Sequence, residues 1–252
     1  GDAHAAAREG LAVGELWEER LGHPENALLR YREVAELVPG SEASRRARER
    51  AARLADALGH RAEAADHWHA LLGALDPADP EARALSARAH RALADLAASY
   101  LADPAGAAAH LEASLAEDPA DASLLERLAG LYRGLDRPAE LLDALDRLAP
   151  LAPDAAARAA LHCEAGELCL GPLSLPDEAR SRFLAALEST PPSRRALEGL
   201  ARAAAALGDD AAEGDAVSRL ADVATAGEEP QLRERAAAAL ERAGNLPAAL
   251  AA

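Results

Sequence analysis

Isoleucine, lysine and methionine are absent from the 252 residues, and only six residues are aromatic: two Trp, three Tyr and one Phe. Every formal positive side-chain charge is therefore an arginine. Of the hydrophobic half of the composition, most is Ala and Leu, the skew of a GC-rich, bacterial genome. β-Branched residues are scarce, which argues against sheets, while Ala, Leu, Arg and Glu are strong helix formers. An all-α chain follows. Two cysteines in a chain this long do not make a disulfide framework. No apolar run approaches the roughly 20 residues needed to cross a bilayer. The opening GDAHAAAREG carries no signal-peptide core and no initiator Met, so it reads as the start of a processed or excised piece. The expected compartment is the cytoplasm, with the periplasm left open because a leader could have been removed. A net charge of −16 disfavours non-specific binding to nucleic acid and to an anionic membrane surface.

What is present is a repeated spacing. Ala27-x3-Tyr31 is followed by Pro39, Ala64-x3-Trp68 by Pro77, and Ala107-x3-Leu111 by Pro119. Leu141-x3-Leu145 is followed by Pro153, and Ala179-x3-Phe183 by Pro191. The anchors Tyr31, Trp68, Leu111, Leu145, Phe183 and Val217 stand 37, 43, 34, 38 and 34 residues apart. Gly22, Gly59, Asp103-Pro104, Asp136, GPLSLP (171–176) and Gly208 break each unit into two helices, and Ser41, Asp121 and Asp154 are placed to cap. This period with two helices per unit indicates a helical solenoid. The expected repeats cover 3–40, 41–80, 81–119, 120–153, 154–192 and 193–227, with an incomplete seventh at 228–252, in one domain spanning 1–252.

The anchors and closing prolines resemble the tetratricopeptide repeat (TPR) family, whose second helix carries Ala-x3-Phe and ends on Pro. The resemblance covers nearly the whole chain. It is strong in the second helices; in the first it survives mainly as Leu125, Leu128 and Tyr132. The third unit is longer than the family norm and the sixth lacks both Ala and aromatic, so Sel1-like or HEAT-like hairpins stay open for parts of the chain. The resemblance implies a right-handed superhelical α-solenoid whose first helices line a concave, peptide-binding groove.

No phosphate-binding, nucleophile-elbow or zinc-protease motif occurs, so an enzyme is not expected, and neither is a cofactor. His60, His67 and His69 do not share one helix face and read as solvated surface rather than a metal site. Cys163 and Cys169 read as small buried hydrophobes. Arg-x2-Glu-x3-Arg occurs twice, at Arg46, Glu49, Arg53 and at Arg195, Glu198, Arg202. Two readings stand. In one, these residues face the groove with Arg133 and Arg158, and Leu16, Leu96 and Tyr100 supply apolar contact for an acidic peptide or partner segment. In the other, Arg and Glu pair along their own helix at about 0.2–0.5 kcal/mol per pair. The family's carboxylate clamp uses Lys and Asn; this chain has no Lys, and Asn26 and Asn245 stand near hairpin turns, so that clamp is not expected. The expected function is a non-catalytic protein–protein scaffold. Alternatives are a regulatory or sensory arm of a longer protein, or self-assembly through the incomplete last hairpin.

Overall fold

The computed structural model describes residues 2–251. Among them are fourteen α-helices and no strand. They run α1 (Asp2–Glu19), α2 (Pro24–Leu37), α3 (Glu42–Ala57), α4 (Arg61–Leu72), α5 (Pro80–Ser99), α6 (Pro104–Leu115), α7 (Ala122–Gly134) and α8 (Pro138–Leu148). There follow a single 3-10 turn (Ala149–Leu151), then α9 (Ala155–Leu170), α10 (Pro176–Ser189), α11 (Arg194–Leu207), α12 (Asp210–Asp222), α13 (Glu229–Arg242) and α14 (Leu246–Ala251). Backbone contacts divide the chain into two compact units, one through Pro119 with α1 to α6 and one from Ala120 with α7 to α14. None of these helices is long and apolar enough to cross a membrane.

Short polar side chains start many of the helices. Ser41, Asp103 and Asp154 accept the N–H of the residue three positions on, as do Ser193 and Asp209, while Asp79 and Asp121 reach the N–H two on. Pro24, Pro104, Pro138 and Pro176 open second helices, where their missing N–H has no intrahelical partner to lose. Each hairpin turn is closed the same way. One residue adopts a left-handed backbone: Gly22, Gly59, Ala102, Asp136, Ser174, Gly208 and Gly244 in turn. The next residue then donates its N–H back to a carbonyl in the last turn of the helix just ended, from His23 to Trp17 through to Asn245 to Leu240.

The anchors form the core of both units. Tyr31, Leu111, Phe183 and Val217 are fully buried, and Trp68 and Leu145 nearly so. In unit 1, Gly14 of α1 lies against the Tyr31 ring, where a Cβ would come within 2.5 Å of a ring carbon. The same device recurs in unit 2: Gly166 of α9 and Gly199 of α11 lie against the Phe183 ring from both neighbouring first helices. A glycine on each side lets helices close on an aromatic that belongs to the second helix between them. Cys163 and Cys169 are free and buried, and burial pushes both thiols up, as suits packed side chains. The longer third unit is accounted for by α5, which at 20 residues is the longest helix.

The sixth hairpin departs from the rule. At the position where Ala27, Ala64, Ala107 and Ala179 stand, it carries Glu213, which is only 7% exposed. Its carboxylate accepts from Arg235 at 2.7 Å and from Arg242 at 2.9 Å, so a charge-assisted clasp to α13 takes the place of an alanine contact.

Candidate functional site

In unit 2 the first helices present an open cleft of about 640 Å³. Its floor is Ala129 from α7, Leu145 and Leu148 from α8, and Ala157 and Leu161 from α9. The 3-10 turn and Pro153 wall one side, because α8 tightens after Leu148 and carries Leu151 across to the first-helix side. The rim is charged, with Glu126 and Arg133 on α7, Glu164 on α9 and Arg195 on α11. The size falls within that of small-ligand pockets, roughly 300–1,000 Å³. The cleft offers apolar burial with four charged groups that fix orientation, and no paired nucleophile and base.

Three of the four rim charges, Arg133, Glu164 and Arg195, are already engaged. Arg133 pairs with Glu164 at 2.8 Å, and Arg195 forks onto both oxygens of Glu167 at 2.9 and 2.8 Å. The Arg195 fork holds the Glu167 carboxyl below the usual carboxylate range. Arg194 binds Glu198 at 2.8 Å and Glu228 at 2.9 Å; with the Thr225 hydroxyl this lowers Glu228 to about 2. Arg202 is exposed and, like Arg158, makes no ion pair among the described residues. Seven residues from Arg195, Arg202 lies two turns along the same helix face. Arg158 is one step round α9 from the cleft stripe of Ala157, Ala160, Leu161 and Glu164, on the flank shared with His162.

Unit 1 carries the same pattern on its own first helices. Arg46 reaches Glu15 at 3.2 Å, and Arg50 reaches Glu18 at 3.1 Å and Glu19 at 2.9 Å. Glu49 accepts from Arg53 at 2.6 Å and sits 3.4 Å from Arg88. Glu18 also accepts the Tyr31 hydroxyl at 2.6 Å; burial and that carboxylate push the phenol up. Leu16 is exposed, and Tyr100 is 51% exposed with the Arg61 guanidinium over its ring at 5.6 Å. Leu96 is not available to a partner: at 4% exposed it belongs to the unit 1 core, on the stripe Ala89, Leu93, Leu96.

Own-helix pairing describes only part of the Arg-x2-Glu-x3-Arg contacts: Glu49 takes Arg53, and Glu198 takes Arg194. Arg46 and Arg195 bypass the glutamate three residues on and cross to the preceding first helix, over 31 and 28 positions. Of the pattern's arginines, only Arg53 takes its own-helix partner. The residues that sequence reasoning passed over are the glutamates of this ladder, Glu15, Glu18, Glu164 and Glu167, and the apolar floor Leu148, Leu151, Ala157 and Leu161. The signal was the recurrence of Glu and Arg at one repeat's distance, seen in the 31-residue separations of Arg46–Glu15, Arg50–Glu19 and Arg133–Glu164.

His60 and His67 stay near Glu63 on α4, while His69 turns toward His110. Among the described residues no group of three His, Cys, Asp or Glu side chains is placed to hold a metal ion.

No protein-family model matches the chain, and no curated protein matches it. Solved structures do. A tetratricopeptide repeat protein from Parabacteroides merdae shares 14% identity over 99% of this chain and 100% of that one, with a TM-score of 0.48. YrrB, a TPR protein with an unusual peptide-binding site, shares 16% identity over 79% of this chain and 97% of that one, with a TM-score of 0.47. MamA from Desulfovibrio magneticus shares 20% identity over 77% and 99%, with a TM-score of 0.44.

Proposed function

We propose that this chain, a TPR-like helical-repeat protein, is a non-catalytic interaction scaffold that takes a partner segment in the first-helix cleft of unit 2. The observation that carries the reading is the cleft itself: a leucine and alanine floor of about 640 Å³ under a rim of Arg133, Glu164 and Arg195. The partner segment offers two or three bulky apolar side chains to the floor. A carboxylate further along the segment reaches Arg202, which lies outside the cleft lining, two turns along α11 from the rim residue Arg195, and makes no ion pair among the described residues. Arg195 and Arg133 contribute less than their charge suggests, since each is held by a glutamate.

The test is selection of peptides from a random display library on the immobilised full chain, followed by fluorescence anisotropy. Enriched peptides are expected to pair apolar anchors with an acidic residue. Ala160→Arg, which places a long side chain at the cleft edge, is expected to weaken them at least tenfold with helix content unchanged. Arg202→Glu is expected to weaken acidic peptides selectively, and less at high salt. Peptides that bind Ala160→Arg as well as the parent chain would overturn the cleft as the site.

A further inference from the structure

Three histidines that the cleft does not use meet inside unit 1. His90 on α5 and His110 on α6 face each other with their Nδ1 atoms 3.1 Å apart. The rings lie 5.3 Å apart between centroids, and His69 of α4 lies 5.8 Å from His110. His90 and His110 are half-buried; His69 is exposed. The hydrogen bond between the two Nδ1 atoms sets a proton count. One ring donates from Nδ1–H and the other must accept with a bare Nδ1. A first added proton can go to the donor ring's Nε2, which leaves the bond intact. A second has to go to the accepting Nδ1, and then neither ring has a lone pair to offer while two like charges stand in contact.

The surroundings do little to offset that charge. His69, facing from α4, adds repulsion to the charged forms of both rings. Asp103, at the start of α6, favours the charged form of His110. Arg91, next to His90 in sequence on α5, is turned to Ser114 Oγ at 3.1 Å. Burial, followed by the neighbouring histidines, pushes both His90 and His110 below the ordinary imidazole value.

We propose that His90, His110 and His69 form an acid-sensitive latch that ties α5 to α6 and this hairpin to α4 at neutral pH, and opens when the pair becomes doubly protonated. The sign follows from linkage. A histidine held below its unfolded value binds its proton more readily in the unfolded chain. The latch therefore contributes fully above the unfolded value of about 6.5, and its contribution declines as pH falls through that value toward the depressed folded ones.

The experiment uses the full chain in the presence of a chelator and compares it with the double variant His90→Asn/His110→Asn. Asparagine places an amide near the Nδ1 position, so it can keep the donor–acceptor contact but cannot titrate in this range. Both tryptophans, Trp17 and Trp68, lie in unit 1, so their fluorescence during urea unfolding reports on it alone. Each excess proton bound by the unfolded chain raises the unfolding equilibrium about tenfold per pH unit. From pH 8 to 5 the parent chain is expected to steepen toward roughly 100-fold per pH unit, and the variant to lose that extra slope while matching the parent at pH 8. His67 and the carboxylates are common to both proteins and cancel in the difference. A variant that keeps the parent's slope overturns the latch. If the variant is unfolded at pH 8, imidazole NMR of the parent chain decides. Two coupled rings titrating below about 6.5 support the latch, and two independent rings at the free-histidine value of about 6.5 overturn it.

Discussion

At the scale of single residues, the turns and the glycine contacts give the most direct tests. Ala102, Asp136 and Ser174 hold left-handed backbones at φ of 48°, 53° and 54°, where the other hairpins use glycine. For an L-residue that region costs about 1–2 kcal/mol, and glycine occupies it freely. Ala102→Gly is expected to stabilise unit 1 by about 1 kcal/mol, seen as a higher urea midpoint in tryptophan fluorescence, because relief of the strain exceeds the added entropy of an unfolded glycine. Gly59→Ala, at φ 83°, is expected to move the midpoint the other way by a similar amount. The aromatic contacts behave differently. At Gly199 an added Cβ would lie 2.2 Å from a Phe183 ring carbon, so Gly199→Ala is an overpacking change costing about 1–3 kcal/mol. Adding Phe183→Leu to Gly199→Ala is expected to recover part of that loss; if the double variant is simply the sum of two losses in thermal unfolding, the ring is not what the glycine accommodates.

At the scale of elements, hairpin boundaries were legible because they are written in local chemistry. Pro24, Gly59, Pro104, Asp121 and Pro176 act within a few residues of where they stand, and the helices begin and end beside them. Ala102 and Ser174 gave no such signal, since nothing in those side chains announces a left-handed turn; the closing backbone bond imposes it. The ion pairs were not legible because their partners lie one hairpin away: Arg46 looks adjacent to Glu49 in sequence yet pairs with Glu15. Leu96 was expected to supply apolar contact in the groove, but the stripe it shares with Ala89 and Leu93 runs through the core. The Glu213 clasp belongs to this scale too. Glu213→Ala restores the residue used in other hairpins but leaves Arg235 without its carboxylate and Arg242 with Asp210 alone. Both guanidiniums are about half exposed, so they can return to water, and a loss of about 1–2 kcal/mol is expected. Hydrogen exchange should then rise in α13 and α14 before it rises in α9. Uniform protection in the variant would mean that packing through Val217 and Leu240 suffices to hold α13.

At the scale of the whole molecule, charge dominates. Forty-three carboxylates face 27 arginines, so 16 acidic groups cannot be matched one to one. Their mutual repulsion acts over several ångströms and is screened by salt more completely than the short, partly buried pairs near 2.8 Å. Raising the ionic strength from about 0.01 M to 0.15 M, which shortens the screening length from about 30 Å to 8 Å, is expected to raise the melting temperature by a few degrees. A fall instead would mean that the Glu–Arg pairs contribute more than the excess negative charge takes away.

The seven turns share one backbone closure, so the two helices of every hairpin are joined alike, and by that measure the units are interchangeable parts. The ladder makes them otherwise. Glu15 meets Arg46, Arg133 meets Glu164, and Glu167 meets Arg195, each pair matched in reach and sign to one neighbour. A recombination event that duplicated, deleted or reordered hairpins would keep every turn and mispair these rungs, setting carboxylate against carboxylate or arginine against arginine. The ion pairs thus act as an address system: they contribute modestly to stability and record the order in which the repeats must follow one another.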